Sequence, residues 1–451
     1  MPGEAKGSVR STASSQRAKS RQKELPSLLR ALRHRNFQLF FGGQLISLTG
    51  TWMQSVAQSW LVYRLTGSAV LLGLVGFSSQ IPVFLLAPLG GVVADRVNRH
   101  RILLVTQTMA MILAFVLSAL TLFHRIQVPH LFVLAALLGI TNAFDIPARQ
   151  AFVVDMVGKE DLINAIALNS SMVNGARIIG PAVAGLLVAA VGEGWCFLIN
   201  AASYIAVIGG LLAMKLPARR RLSQHRSTLA HIVEGFRYAG KKAPIRALLL
   251  LLGLVSLMGM PYAVLMPLFA DQVLHGGPGG LGILMGASGT GALIGALTLA
   301  SRRGLRGLGR WVAVSAAGFG FCLMLFSASR QFFLSAALLV PVGFFFMLEM
   351  SASNTLIQSM VTDELRGRVM AVYSMMFMGL APVGAVLAGI LAERIGAPLT
   401  VAMGGAVCIL GGVLFLLRLP KLRDEARHLI VSLEMTGGNP PDEMTSENLS
   451  K

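Results

Sequence analysis

Three charged side chains fall inside long apolar blocks, where a charge is costly and needs a partner. Asp145 and Glu349 are acids that can bind and release a proton, whereas Arg177 is a permanent cation that can hold a carboxylate. Arg177 falls near the centre of its block, where a charge costs at least about 2.5–3.5 kcal/mol on insertion scales. We expect Arg177 to face an internal cavity and to pair with Asp145 or Glu349. A permanent buried ion pair that fixes helix packing is the structural alternative.

The two acids differ in their sequence neighbours. Asp145 has Arg149 four residues on, the spacing of a local salt bridge on a helix, which is its structural explanation. Glu349 has no arginine at that spacing, and Ser353 and Asn354 follow instead. An isolated carboxylate in an apolar segment should hold its proton more tightly, because desolvation disfavours the charged form. We therefore take Glu349 as the first candidate for proton coupling and Asp145 as the second. The alternative for Glu349 is a shielded, neutral, hydrogen-bonded acid.

The chain contains an internal repeat that places the two acids in register. Residues 148–187 and 352–391 align without a gap at a constant offset of 204, and Asp145 then lies opposite Glu349. The copies differ in their positive charges, because Arg149 corresponds to a serine and Arg177 to an alanine. A duplicated membrane half with an acid at the same place in each copy indicates a transporter whose site lies between the halves.

Composition and block length determine the fold class. The sequence is 54% hydrophobic and 13% charged, and its apolar residues fall into blocks near the roughly 20 residues that a spanning helix needs. We predict an all-α membrane protein with twelve transmembrane helices in two pseudo-symmetric six-helix halves. The predicted spans are roughly 37–62, 70–94, 102–123, 130–150, 163–190, 195–214, 246–270, 280–300, 311–328, 332–354, 368–392 and 398–418.

The formal net charge of +19 is distributed along the chain in a way that favours a membrane topology over nucleic-acid binding. Basic residues crowd the N-terminal segment and every second joint between apolar blocks, which is the positive-inside bias. We predict a multi-pass protein of the plasma (inner) membrane with both termini in the cytoplasm. Three cysteines lie inside apolar blocks without a disulfide or metal-ligand spacing. We expect no metal, no cofactor, no enzymatic activity and no nucleic-acid partner, and we expect a monomer.

Changes in polarity divide the chain into five regions. We predict a basic cytosolic tail at 1–35, an N-terminal six-helix half at 36–215 and a C-terminal six-helix half at 245–420. The linker at 216–244 contains helix-like spacing of apolar residues and is predicted to form an amphipathic cytosolic or interfacial helix. The region 421–451 becomes polar and is predicted to be a disordered cytosolic tail.

Polar side chains inside the predicted spans are candidates for lining a substrate cavity. Asn142, Asn174 and Gln58 can serve there together with Trp52 and Trp60, although each can equally form an interhelical hydrogen bond or an interface anchor. A pocket of amides and indoles would suit a moderately apolar, ring-containing small molecule.

The joint after the second span carries a specific motif. It contains Gly91, Asp95, Arg96 and Arg99, and it resembles the signature of the major facilitator superfamily, with Asn98 where glycine is usual. Asparagine tolerates a left-handed backbone, so the turn need not be lost. The resemblance implies that this joint latches the cytoplasmic side closed in one state, with Asp95 facing a helix N-terminus of the other half. The alternative is a positive-inside loop alone.

A second motif in the fifth span resembles the Gly-Pro motif of antiporter branches of the same superfamily. It consists of Gly175, Gly180, Pro181 and Gly185, with the spacing relaxed by one residue. Proline and glycine in a span permit bending, so a packing kink is the alternative. The stretches 142–152 and 164–169 further resemble the branch that contains enterobactin-type siderophore exporters and macrolide efflux pumps.

The resemblance implies an exporter of a drug-like molecule or siderophore that works by alternating access and exchanges its substrate for protons. A facilitator or importer of a small metabolite is the alternative within transport. A non-transporting membrane scaffold is the alternative outside it. Retained buried charges count against a scaffold, which has little use for an arginine in mid-span.

Overall fold

The computed structural model describes residues 27–158, 160–215, 228–302, 304–305 and 307–435. After a short 3₁₀ turn at Ser27–Arg33, six helices form the first half: α1 Arg35–Thr66, α2 Ala69–Arg96, α3 Arg99–Leu122, α4 Val128–Val157, α5 Leu162–Val191 and α6 Glu193–Leu212. Helix α7 Thr228–Lys241 follows the linker. The second half contains α8 Ala243–Val273, α9 Gly277–Ala300, α10 Leu308–Ala328 and α11 Phe332–Ser359. It ends with α12, made of Asp363–Ser374 and Leu380–Ile395 around a π-helical turn, and α13 Ala397–Met435.

The helices confirm the predicted fold class, an all-α multi-pass membrane protein. Among the described residues, eleven helices are long and apolar enough to cross a membrane. Helix α1 has 32 residues, which is also long enough, but glutamines and two terminal arginines make it less apolar. Counting α1, the described part of the chain contains twelve spans, six in each half, as the block lengths of the sequence predict.

Each half repeats the same packing, and the halves meet along two helix pairs. In the first half α2 packs on α4 and α3 on α6, and in the second half their equivalents pack likewise, α9 on α11 and α10 on α13. Between the halves α5 lies along α9 and α2 lies along α12. We call the end of the bundle at which α1 begins the termini side, and the opposite end, with the joints at 67–68 and 396, the far side.

Two helices of the second half are irregular at the same depth. Helix α8 changes to π-helical hydrogen bonding at Val255–Gly259, and α12 does so at Met375–Gly379. Such turns leave backbone carbonyl groups without a regular partner, and they often mark functional positions. Here the Ser256 hydroxyl of α8 donates a hydrogen bond to the Phe377 carbonyl of α12, 2.6 Å away. The two irregular turns are therefore joined to each other.

The regions outside the spans differ in part from expectation. Residues Thr228–Lys241 of the predicted linker are helical, with Gly235 against the backbone of Arg368 in α12 and Phe236 exposed. Helix α13 continues to Met435, so the disordered tail expected from 421 does not begin there. The physical reason is that residues 421–435 lack glycine and proline and continue an established helix. Residues 1–26, 216–227 and 436–451 lie outside the described residues.

Candidate functional site

Asp145 lies inside the first half, where both of its carboxylate oxygens have partners. Its side chain is buried, and Oδ1 accepts hydrogen bonds from Thr106 Oγ1 and Gln107 Nε2 of α3, both at 2.8 Å. Oδ2 lies 3.4 Å from Nε of Arg149, which is the local pair that the i, i+4 spacing predicts. Arg149 in turn donates to Gln44 Oε1 of α1 at 3.3 Å. These contacts join α1, α3 and α4 through the carboxylate of Asp145.

Glu349 occupies the equivalent position in the second half and has far fewer partners. It is 0% exposed, and its Oε1 accepts one hydrogen bond, from Ser353 Oγ at 3.2 Å on the same helix. Its Oε2 is buried and has no hydrogen-bond partner. No basic side chain pairs with it within the part of the chain that the structure describes. An ionised carboxylate without a partner costs several kcal/mol in such a place, so this environment tolerates the neutral acid.

Arg177 pairs with neither acid, contrary to expectation. Within the described residues its guanidinium has no carboxylate partner, and Cζ lies 5.5 Å from the ring centroid of Trp52 on α1. The physical reason is that Asp145 is already held by Arg149, while Glu349 is enclosed in the other half. A desolvated cation–π contact contributes about 2 kcal/mol or more, which offsets much of the cost of at least about 2.5–3.5 kcal/mol for a mid-span charge. Arg177 is partly exposed, so its guanidinium is not fully enclosed by the protein.

The positions of the three amides proposed for the cavity do not show whether they contact a substrate. Asn174 donates a hydrogen bond to the Ser170 carbonyl of its own helix at 2.9 Å, while Asn142 and Gln58 are partly exposed. No contact of these residues reaches the acids or Arg177 in the hydrogen bonds described. Their role in substrate contact stays a prediction.

The motif at the termini side is held within the first half. Arg99 bonds the carbonyls of Ala94 and Ala151 and lies 3.2 Å from Asp155 Oδ2. Asp95 lies 3.4 Å from Arg99 Nη2, and 75% of its side chain is exposed. The latch to the other half that the sequence suggests is therefore not made by Asp95 in this state.

The glycine-replacing residue of this motif works differently from our expectation. Asn98 has φ −65°, which is not left-handed, and it is the N-cap of α3. Its side chain accepts a hydrogen bond from the His100 amide at 3.0 Å. A capping side chain satisfies one of the free amides at a helix start, which glycine cannot do. Arg96 is exposed and Gly91 has open space around it.

The Gly-Pro motif of α5 lies at the junction of the two halves. A Cβ on Gly180 would lie 2.5 Å from Cβ of Trp52, so this glycine allows α1 to bring Trp52 beneath Arg177. Gly185 meets Gly282 of α9, where a Cβ would lie 2.9 Å from the opposite Cα. Only small residues allow backbones to approach this closely. Gly175, by contrast, has no neighbour within 4 Å of a Cβ.

The far side is closed by contacts between the halves. Glu393 of α12 accepts hydrogen bonds from Ser68 Oγ and from the Val70 amide at the start of α2. Tyr63 of α1 donates to Asp271 of α8 at 2.6 Å. With the glycine contacts of α5 and α9, these bonds hold the two halves together at this end.

The 3₁₀ turn before α1 is anchored at the termini side. His34 Nε2 donates to Asp161 Oδ2 at 2.9 Å, and Arg30 lies 3.6 Å from the same carboxylate. The hydrogen bond from His34, followed by the charge of Arg30, holds the pKa of Asp161 below its ordinary value. The joint between α4 and α5 is thereby connected to the start of the chain's first span.

The described residues contain no cluster of His, Cys, Asp and Glu that could hold a metal ion. Cys196, Cys322 and Cys408 are buried and free. Sequence reasoning missed the donors of Asp145 and the residues that close the far side. The adjacent Thr106 and Gln107, polar in an otherwise apolar span, were the available signal for the first group. The second group lies in short joints that carry no recognisable motif.

Comparison with known proteins decides the family. The model of the family described as transmembrane secretion effector matches residues 27–440. The chain belongs to this family, within the major facilitator superfamily. The superfamily assignment made from the motifs is thus confirmed.

Characterised relatives of this family member are transporters. It is 28% identical to the staphyloferrin A transporter of Staphylococcus aureus, over 86% of this chain and 98% of the relative. It is 27% identical to the multidrug efflux pump Tap of Mycolicibacterium fortuitum, over 83% and 93%. It is 26% identical to the enterobactin exporter EntS of Shigella boydii, over 86% and 93%. These relatives establish a secondary transporter of the major facilitator type.

Solved structures agree with the fold. The nucleoside transporter NupG superimposes with a TM-score of 0.66 at 15% identity, covering 88% of this chain and 99% of NupG. A bacterial homologue of the human lysosomal transporter Spinster, in an inward-facing and unoccupied conformation, gives 0.61 at 14% identity, covering 88% and 97%. At these identities the likeness extends to the fold alone.

Proposed function

We propose that this transporter exports a small amphipathic compound, a siderophore or a drug-like molecule, in exchange for protons by alternating access across the bacterial inner membrane. The names of its relatives support the substrate class, since they include siderophore and drug transporters. The basic joints support an orientation with the termini side in the cytoplasm. The far side then faces the periplasm.

The environment of the Glu349 carboxyl is the observation that supports proton coupling. Its carboxyl is fully buried, has one hydroxyl donor and leaves one oxygen without a partner. A carboxyl so placed is stable when protonated and needs new partners or water when ionised. Movement of the second half that admits water would release the proton, and closure would require one to be taken up. Asp145 is the weaker candidate, because Arg149 and two hydrogen-bond donors already stabilise its charge.

The contacts between the halves support a state open to the cytoplasm. The far side is closed, whereas Asp95 on the termini side is exposed and paired only within its own half. Helix α2 runs antiparallel to α12, with Gly73 against Ala385. On α2, Asp95 lies 22 residues after Gly73. On α12, the first residue, Asp363, lies 22 residues before Ala385, so the two positions are level with each other. Closing the termini side would therefore bring Asp95 to the N-terminus of α12, where the helix dipole favours a carboxylate.

Transport into inside-out membrane vesicles tests the proposal. Staphyloferrin A, enterobactin and ethidium are supplied outside, with the vesicle interior made acidic, and accumulation is compared between wild type and Glu349→Gln. We expect a gradient-dependent accumulation of at least one compound by wild type. The Glu349→Gln variant should lose the dependence on the gradient but retain exchange of labelled for unlabelled compound. Glu193→Gln, at an acid that pairs with Arg64 on the far side, is the matched control and should keep both activities.

Other outcomes separate the alternatives. Accumulation that survives Glu349→Gln unchanged would remove this residue from the coupling. Equilibration of a compound without any effect of the gradient would identify a facilitator. Folded wild-type protein that moves none of the compounds would favour a scaffold.

A further inference from the structure

The junction between the halves contains a group of residues that the proton pathway does not use. Arg177 of α5 has Cζ 5.5 Å from the ring centroid of Trp52 of α1, and its carbonyl oxygen lies against Gly289 of α9. Gly289 is the residue after Ser288, whose Oγ is bonded to the Tyr262 hydroxyl of α8 at 2.7 Å. We call Arg177, Trp52, Ser288 and Tyr262 the Arg177 cluster. It draws on two helices of each half, so both halves contribute to it.

The Arg177 cluster carries a net positive charge. Its other members are neutral, and both nearby acids are engaged elsewhere: Asp145 with Arg149, and Glu349 within the second half. The Arg177 guanidinium donates no hydrogen bond to a described residue, although it can donate five. The contact with the Trp52 ring does not use these N–H donors, so they remain for a ligand. A guanidinium edge fits a carboxylate through two parallel hydrogen bonds.

The position of the cluster suits a substrate rather than a structural ion. It lies where the close contacts of α5 and α9 begin: the Arg177 carbonyl would be 3.1 Å from a Cβ on Gly289, and tighter glycine contacts follow toward the far side. Arg177 itself is partly exposed. A ligand entering from the termini side would reach it before the closed part of the bundle.

We propose that the Arg177 cluster is an anion subsite that binds the carboxylate of an aromatic or otherwise planar substrate, with the indole of Trp52 contributing to the same pocket. This inference rests on the proposed transport function and narrows its substrate class to organic anions. A cation placed here would be repelled by Arg177. A neutral compound would form at best uncharged hydrogen bonds with the guanidinium, which are weaker than the charge-assisted pair that a carboxylate forms.

Binding of a matched pair of probes tests the subsite. Purified full-length protein in detergent is titrated with 2-naphthoate and with 2-naphthamide, which have the same ring and differ in charge. We expect wild type to bind naphthoate about tenfold to a hundredfold more tightly, as a charge-assisted pair provides. Arg177→Gln should abolish this preference, and Arg177→Lys should retain part of it because the charge remains without the planar fork. Trp52→Phe should weaken naphthoate several-fold, since tryptophan is the strongest cation–π partner.

Arg302→Gln is the matched control. Arg302 is also stacked on an indole, with Cζ 4.3 Å from the centroid of Trp311, but it lies at the termini-side end of α9, outside the junction. Its replacement should leave the preference for naphthoate unchanged. Arg177→Gln removes the insertion cost of a mid-span charge, so the variant should fold at least as well as wild type, which thermal unfolding checks.

Three results would overturn the subsite. Wild type could show no preference for naphthoate, Arg177→Gln could preserve the preference, or it could weaken both probes equally, as expected of a purely structural arginine. Failure here is distinguishable from failure of the proposed function. Gradient-driven transport that persists in vesicles without any anion preference refutes the subsite alone. A clear anion preference without transport of any compound refutes the exporter and leaves the subsite standing.

Discussion

Replacement of Gly282 by alanine should shift the conformational equilibrium of the transporter. A Cβ at this position of α9 would lie 2.5 Å from the Pro181 carbonyl oxygen and 2.7 Å from Cα of Gly185, both on α5. Each obstructing atom belongs to the backbone, so no side-chain rotation relieves the clash. The contact exists because the far side is closed, and it would be absent if the halves separated there.

The geometry sets the size of the effect. Ordinary van der Waals contact begins at 3.4 Å, so α5 and α9 must move apart by about 1 Å at this level. Overfilling a close-packed contact costs about 1–3 kcal/mol. Because the state open on the far side does not bear this cost, its population should rise by a factor of about 5 to 150 relative to the closed state.

Pulsed dipolar spectroscopy can measure this shift. Spin labels at Val191→Cys on α5 and Phe333→Cys on α11 would report the far-side separation, since these side chains are 52% and 84% exposed. The three native cysteines are buried and free, so they are replaced in the labelled background. We expect a longer distance to gain population in Gly282→Ala, together with slower transport.

Two neighbouring glycines on α9 provide controls. At Gly286 the nearest atom to a Cβ is the Ile178 carbonyl oxygen at 3.8 Å, so Gly286→Ala should behave as wild type. At Gly291 a Cβ would clash with the Val340 carbonyl inside the second half, so Gly291→Ala should lower thermal stability without favouring either state. Identical distance distributions for Gly282→Ala and wild type, or an equal shift in Gly286→Ala, would refute the reasoning.

Three further predictions concern the paired acids. Asp145→Asn should lower the free energy of unfolding by about 1–3 kcal/mol, because it leaves Arg149 unpaired, and adding Arg149→Gln should restore part of the loss in thermal or denaturant unfolding. Glu393→Gln removes the charged acceptor of two far-side hydrogen bonds and should raise the open population by roughly tenfold or less, measured with the same spin labels; a population unchanged from wild type would show that these bonds do not hold the closure. The pKa of Asp161 is lowered by its hydrogen bond from His34, so the stabilisation of the N-terminal turn should be present above about pH 4 and lost as the pH falls through the lowered pKa. Hydrogen exchange of Ser27–Arg33, corrected for intrinsic rates, should then increase in acid, and Asp161→Asn should show the increase at every pH.

The fold could be predicted because it depends on properties that are local in sequence. Block length and composition give the spans, and the constant offset between residues 148–187 and 352–391 gives the two halves. The irregular turns within the helices could not be predicted from the sequence. The π-helical turns of α8 and α12 are stabilised by the Ser256 to Phe377 bond, which joins residues 121 positions apart. No periodicity in the sequence encodes such a contact.

The site could be predicted only as a set of residue types. The i, i+4 spacing identified the pair of Asp145 and Arg149, because that pair forms within one helix. The predicted carboxylate partner of Arg177 was wrong. The prediction considered only charged side chains, whereas in the structure Arg177 contacts an aromatic ring from another helix. Partners across helices depend on rotation and depth of each span. Those are set by contacts such as Gly180 against Trp52, which a sequence alone does not reveal.

The divergence between the halves has a chemical consequence for the two acids. Thr106 and Ser315 each lie seven residues after the first residue of their helices, α3 and α10; Thr106 donates to Asp145, whereas the buried Ser315 hydroxyl has no partner. The cation that follows Asp145 is replaced by Ser353 after Glu349. An arginine is a permanent cation that only donates hydrogen bonds and therefore favours the ionised carboxylate, while a hydroxyl donates or accepts and can serve either protonation state. The repeat thus keeps hydroxyl groups near both acids but a cation beside only one, and this difference is why the proposed proton coupling is assigned to Glu349 of the second half.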